Sequence, residues 1–152
     1  DFLEMKAIEL LLLFLIVGLA SSCGGNDLYD SEIGYDKAMN NYMDSMGWVG
    51  VSTVDGMYYV IDEPGSSEKP TSTSNVTVNY KGYYTDDVEF DSGNNISFNL
   101  QGVIEGWTIG IPKFGEGGSG HLLIPPHLAY GEENSRTRDR SVLIFDIELV
   151  GF

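Results

Sequence analysis

The sequence predicts an α+β domain, an antiparallel sheet of about five short strands packed on one short helix. Three observations lead there. Val76, Val78 and Tyr80 alternate with Thr77, Asn79 and Lys81, and Leu143, Phe145, Ile147 and Leu149 alternate with Ile144, Asp146 and Glu148, the two-residue period of half-buried strands. Ile104, Trp107 and Ile111 recur at helical spacing in a stretch that Pro112 must end, because proline cannot continue a helix and biases the residue before it away from helical angles. Finally, 19 glycines and 9 tyrosines in 152 residues suit many turns and strands.

In chain order, Lys6 precedes an uncharged apolar run at residues 10–20, too short for a membrane span of ~20 residues but the size of a signal-peptide core. Met5 is the expected start, which makes residues 1–4 extraneous. Leu19-Ala20-Ser21-Ser22-Cys23 brings small residues up to the only cysteine and resembles a bacterial lipobox, with Ala20 where Leu is usual. The resemblance implies a signal peptide over residues 1–22, lipidation of Cys23 and a tether over residues 23–30. Acyl chains contribute ~0.8 kcal/mol per buried CH₂, so a multiply acylated cysteine holds a membrane firmly. The expected location is the bacterial cell envelope, with the outer membrane favoured.

A helical segment is expected over residues 31–55, with Ser31 as N-cap and Gly47 as stop. Tyr35, Met39, Tyr42, Met43 and Met46 form a face for packing on the body, and Trp48 and Val49 are expected in the same seam. The body then covers residues 56–152. Strands are expected at residues 57–61, 76–81, 88–91, around Leu122 and Ile124, and at 143–149. Glycines at 106 and 110 let the backbone carrying Trp107 approach its neighbours closely.

Charge and composition exclude several classes. A formal charge of −15 opposes binding to nucleic acid and to an anionic bilayer surface, both of which favour a basic face. One cysteine allows no internal disulfide, and His121 and His127 have no nearby cysteine to suggest zinc. No cofactor or metal site is expected.

Five segments occur in a familiar order: Val76-Thr77-Val78-Asn79-Tyr80-Lys81-Gly82, Phe90-Asp91-Ser92, Gly102-Val103-Ile104-Glu105-Gly106-Trp107, Ile124-Pro125-Pro126-His127-Leu128-Ala129-Tyr130-Gly131, and Leu143-Ile144-Phe145-Asp146-Ile147-Glu148-Leu149. Each is weak alone; together they resemble the FKBP-type peptidyl-prolyl cis–trans isomerases over residues 56–152. The resemblance implies a half-barrel sheet wrapped around one short helix, with a proline pocket between them. It implies that Tyr80, Asp91, Trp107, Tyr130 and Phe145 act on the substrate, with Trp107 as floor and Asp91 hydrogen-bonded to Tyr80. Phe90, Ile96, Phe98, Val103 and Ile104 would complete the pocket, the Ile104 N–H and the Tyr130 hydroxyl each holding a substrate carbonyl. The partners implied are proline-containing polypeptides.

Three departures from that pattern stand out. Ile96 replaces an aromatic, thinning one wall; residues 135–140 carry Arg136, Arg138 and Arg140 where an apolar loop is usual; and Pro112 shortens the helix. The arginines form the one local basic patch of an acidic chain and suggest substrates with acidic residues beside proline. The competing reading is a proline-binding holdase of low activity or a surface lipoprotein that docks partners; the set Asp91, Trp107, Tyr130 and Phe145 favours the isomerase.

Overall fold

Helix α1 spans Asp27–Met46, and six strands follow it: β1 (Val51–Ser52), β2 (Tyr58–Glu63), β3 (Asn75–Tyr83), β4 (Glu89–Asn99), β5 (Ser119–Ile124) and β6 (Leu143–Gly151). This computed structural model describes residues 27–152, with side chains from Gly34 onward. Expectations for residues 1–22, for Cys23 and for the first tether residues therefore lie outside the described residues. The strands form one sheet in the order β1-β2-β5-β6-β3-β4, antiparallel at every pairing. Residues Ile33–Phe152 constitute one compact unit.

The alternation of β3 and β6 is observed, and it places Val76, Val78, Leu143, Phe145, Ile147 and Leu149 in one core with Trp107, Ile111 and Phe114. Helix α2 (Glu105–Gly110) supplies Trp107 to that core. It ends as Pro112 requires, and residues Ile111–Lys113 continue as a 3-10 turn that keeps Ile111 fully buried. Thr108 Oγ1 donates to the Leu100 carbonyl at 2.6 Å, tying the helix to the end of β4. Gly106 and Gly110 press directly on β5: a Cβ at Gly106 would lie 2.5 Å from Ile124, and one at Gly110 would lie 2.6 Å from Leu122.

The other face of the sheet is partly covered as well. Met39, Tyr42 and Met43 of α1 form a second core with Val60, Tyr83, Leu123, Val142 and Ile144. Adjacent residues of a strand point to opposite faces, so Leu122 and Phe145 belong to the first core while Leu123 and Ile144 belong to the second. Gly47 terminates α1 with φ of +70°, and the Trp48 N–H reaches back to the Met43 carbonyl at 2.9 Å, a closure that favours glycine.

Several expectations need correction. Helix α1 begins at Asp27, so Ser31 lies inside it and residues from Asp27 onward are helix rather than tether. The sheet has six strands because Val51 and Ser52, expected within the helical segment, pair with Tyr59 and Tyr58. Strand β4 runs unbroken through Ser92-Gly93-Asn94-Asn95, taking its turn-forming residues into the sheet with bulges in its register to β3. Val49 is 88% exposed instead of inserting into the seam, and Met46 is also exposed. Trp48 does enter, lying flat on His121 with ring centroids 3.7 Å apart.

Candidate active site

Between α2 and the concave face of the sheet lies a cavity of about 440 Å³. Its floor is the Trp107 indole, 4% exposed, and three rings meet that indole edge-on: Tyr80 at 5.1 Å and 80°, Phe98 at 5.4 Å and 89°, and Phe145 at 5.3 Å and 82°. Edge-to-face packing sets the positive rim of one ring against the negative face of another, and here it holds each wall perpendicular to the floor. The strands make this box possible because Tyr80 on β3, Phe98 on β4 and Phe145 on β6 all point toward the same face, with Gly82 paired to both Phe145 and Asp91.

Polar groups share the lining with the rings. Tyr80 Oη donates to Asp91 Oδ2 at 3.0 Å. Burial, then the bond to Asp91 and its charge, push the Tyr80 hydroxyl up to about 12, so it stays protonated at neutral pH. Three donors at the cavity lack an acceptor among the described residues: the Ile104 N–H just before α2, the Tyr130 hydroxyl, and the buried Trp107 Nε1–H. Only the Trp107 donor is buried, and unpaired buried donors are rare in folded proteins; the Ile104 and Tyr130 donors are partly exposed and open to a ligand.

Of the ten residues expected at the site, eight line this cavity: Tyr80, Asp91, Phe98, Val103, Ile104, Trp107, Tyr130 and Phe145. Phe90 stands behind the wall, edge-on to Phe145 at 5.5 Å, and so braces the site rather than facing it. Ile96 is 41% exposed on β4 and does not reach the cavity, so the substitution noted in the sequence leaves that wall to Phe98. Gly102, Glu105, Ala129 and Arg136 also line it. The first three lie within the quoted segments, where sequence alone gave no reason to assign them a part. Arg136 belongs to the basic loop of residues 135–140.

Arg136 parts from the other two arginines. Arg138 Nη1 binds Asp86 Oδ2 at 2.7 Å, and its guanidinium lies 4.3 Å from the Tyr84 ring centroid. That hydrogen bond holds the Asp86 carboxyl below its ordinary range. Arg140 lies with Tyr35 on a different surface hollow. Only Arg136 faces the cavity, its guanidinium carbon 5.6 Å from the Tyr130 ring centroid.

Comparison with known proteins agrees with this geometry. The family model for the FKBP-type peptidyl-prolyl cis-trans isomerase matches residues 66–150. FkpA of Escherichia coli (strain K12), named an FKBP-type peptidyl-prolyl cis-trans isomerase, is 43% identical over 100 residues, covering 62% of this chain and 37% of that protein. FkpA of Buchnera aphidicola subsp. Schizaphis graminum is 42% identical over 108 residues, covering 66% of this chain and 43% of the relative. The matched part thus spans well under half of these relatives. The crystal structure of Escherichia coli FkpA superposes with a TM-score of 0.69 at 33% identity, covering 95% of this chain and 71% of that one. A peptidyl-prolyl cis-trans isomerase of Pseudomonas syringae pv. tomato gives 0.67 at 29% identity, over 78% of this chain and 92% of that one. With the matching segment spanning more than half of its residues, the chain belongs to the FKBP-type peptidyl-prolyl cis-trans isomerase family.

Proposed function

We propose that this protein accelerates cis–trans rotation about X-Pro bonds in polypeptides, with the cavity over Trp107 as its active site. The observation that carries the reading is the aromatic box itself: three rings around an indole floor, with unspent donors at its edge. An X-Pro bond differs by only ~0.5–1 kcal/mol between isomers, yet interconverts over tens to hundreds of seconds. The barrier of ~18–20 kcal/mol is the lost amide resonance of the twisted C–N bond. A twisted amide carries less charge separation than a planar one, so an apolar enclosure favours it over the ground state. The proline ring rests on Trp107 between Tyr80, Phe98 and Phe145. The Ile104 N–H and the Tyr130 hydroxyl hold carbonyls of the flanking peptide, which orients the chain while the central bond turns. Asp91, fixed by Tyr80, acts on the amide dipole and transfers no proton. No bond is made or broken, and the chemistry calls for no nucleophile.

The proposal extends to the placement of the protein. Residues 1–22 act as a signal peptide, lipidated Cys23 anchors the chain to an envelope membrane, and residues 56–152 form the isomerase body, facing envelope or secreted clients. Support comes from the small-residue run ending at Cys23. Labelled palmitate is expected to enter the wild type and not a Cys23→Ala variant; equal labelling of both removes the anchor.

The test of the activity is exchange spectroscopy on Ala-Leu-Pro-Phe peptides with the purified protein. Faster interconversion than in buffer is expected. A folded protein that leaves the rate unchanged overturns the reading.

A further inference from the structure

The loop from Gly131 to Ser141 is braced from within. Asn134 Oδ1 accepts the backbone N–H groups of Arg136 at 2.9 Å and Thr137 at 2.7 Å, and the Arg140 N–H bonds the Glu132 carbonyl at 2.9 Å. This asparagine-centred turn fixes where the backbone of Arg136 sits. Its side chain extends over the Tyr130 ring into the cavity mouth, and it makes no ion pair among the described residues. The two neighbouring arginines do not share this position, as Arg138 is spent on Asp86 and Arg140 lies away from the cavity. In a chain of net charge −15, Arg136 is the one guanidinium at the cavity, set among the carboxylates of Asp91 and Glu105.

Resting on the isomerase reading, we propose that Arg136 makes this site prefer substrates with a carboxylate side chain on a residue flanking the proline. A guanidinium offers paired N–H donors matched to a carboxylate, and lying over an aromatic face restricts its orientation before substrate arrives. Two other charges line the cavity. Asp91 is engaged by Tyr80, and Glu105 stands at the start of α2. Glu105 opposes the preference, but a repelled carboxylate can turn to water, whereas attraction to Arg136 gains hydrogen bonds. The acidic body also repels acidic peptides at long range, an effect screened beyond about 8 Å at 0.15 M salt while the short contact survives. Because Arg136 is exposed, the expected preference is modest, about two- to fivefold.

The experiment compares kcat/KM for Ala-Xaa-Pro-Phe peptides with Glu, Gln and Lys at Xaa, and for a second series with the same residues after proline, at 0.15 M salt. The wild type is expected to favour Glu over Gln and Gln over Lys in at least one series. Arg136→Glu is expected to invert the order, Arg136→Lys to keep part of it, Glu105→Gln to widen it, and Arg138→Gln to leave it alone. Equal rates for Glu, Gln and Lys at both positions overturn the preference while leaving the isomerase reading intact. So does an Arg138→Gln effect as large as that of Arg136→Glu. No acceleration of any peptide overturns the isomerase reading, and the preference with it.

Discussion

Tyr80 Oη donates to Asp91 Oδ2 at 3.0 Å across the mouth of the cavity, joining a ring of the aromatic box to the carboxylate beside it. A single oxygen thereby fixes both the wall and the charge. Tyr80→Phe keeps the ring and frees Asp91. Hydrogen bonds to charged groups contribute ~1.5–3 kcal/mol, so kcat/KM is expected to fall about tenfold or more, with a lowered thermal midpoint but an intact fold. A variant as active as wild type denies that Asp91 must be held.

The same hydroxyl gives a pH expectation. Its pKa is raised from 10.0 to about 12, so the unfolded chain gives up this proton first. The stability linked to Tyr80 is present below pH 10 and is lost as pH rises toward 12. Alkaline unfolding followed by fluorescence is expected to be less pH-dependent in Tyr80→Phe than in wild type; identical slopes count against the assignment.

Trp107 is both core and floor, and its Nε1–H is buried without an acceptor among the described residues. Trp107→Phe removes that donor and keeps an aromatic floor, whereas Trp107→Ala opens a cavity. Urea unfolding is expected to show a loss of ~3–5 kcal/mol for the alanine variant and clearly less for phenylalanine. Equal losses would show that the indole is held by something other than its bulk.

Helix α2 approaches β5 through two glycines. Gly110→Ala places a methyl 2.6 Å from Leu122, and relieving that overlap is expected to cost ~1–3 kcal/mol in urea unfolding. An unchanged or higher stability means the helix can lift off the sheet without penalty.

On the outer face His121 sits between Asp62 Oδ2 at 3.0 Å and Asp146 Oδ1 at 2.8 Å, under the Trp48 ring. Burial works to raise the Asp146 carboxyl. Hydrogen bonds from His121 and Tyr83, with the charges of His121 and Lys81, outweigh it and hold the group below 3.8. Its contribution to stability is therefore present above pH 3.8 and is lost as pH falls through the lower, folded value. Asp146→Asn is expected to be less stable than wild type at pH 7 and closer to it at pH 3. A gap that stays constant contradicts the linkage.

How much of this was legible in the sequence follows from what each residue depends on. Val76, Val78 and Tyr80 declared their strand because alternation is local, and Pro112 declared the end of α2 because its ring forbids continuation. The burial of Ile144 was not legible: in its own strand it alternates with the inward residues, and only the covering of the outer face by Met39 and Met43 makes that position a core. The division among Arg136, Arg138 and Arg140 was hidden for a similar reason, since it depends on Asp86, about fifty residues away in sequence. Ile96 was placed at the site by position in a motif; it does pair with Val78 on the face that carries Phe98, but it is 41% exposed and stands outside the cavity lining.

The most direct test of the central claim is the cis-to-trans rate of proline tetrapeptides with the wild type beside Asp91→Ala and Trp107→Ala, each checked for fold by circular dichroism. The expected result is clear acceleration by the wild type that drops sharply in both folded variants. A folded wild type without acceleration, or variants that match it, would contradict the assignment of this cavity as the isomerase site.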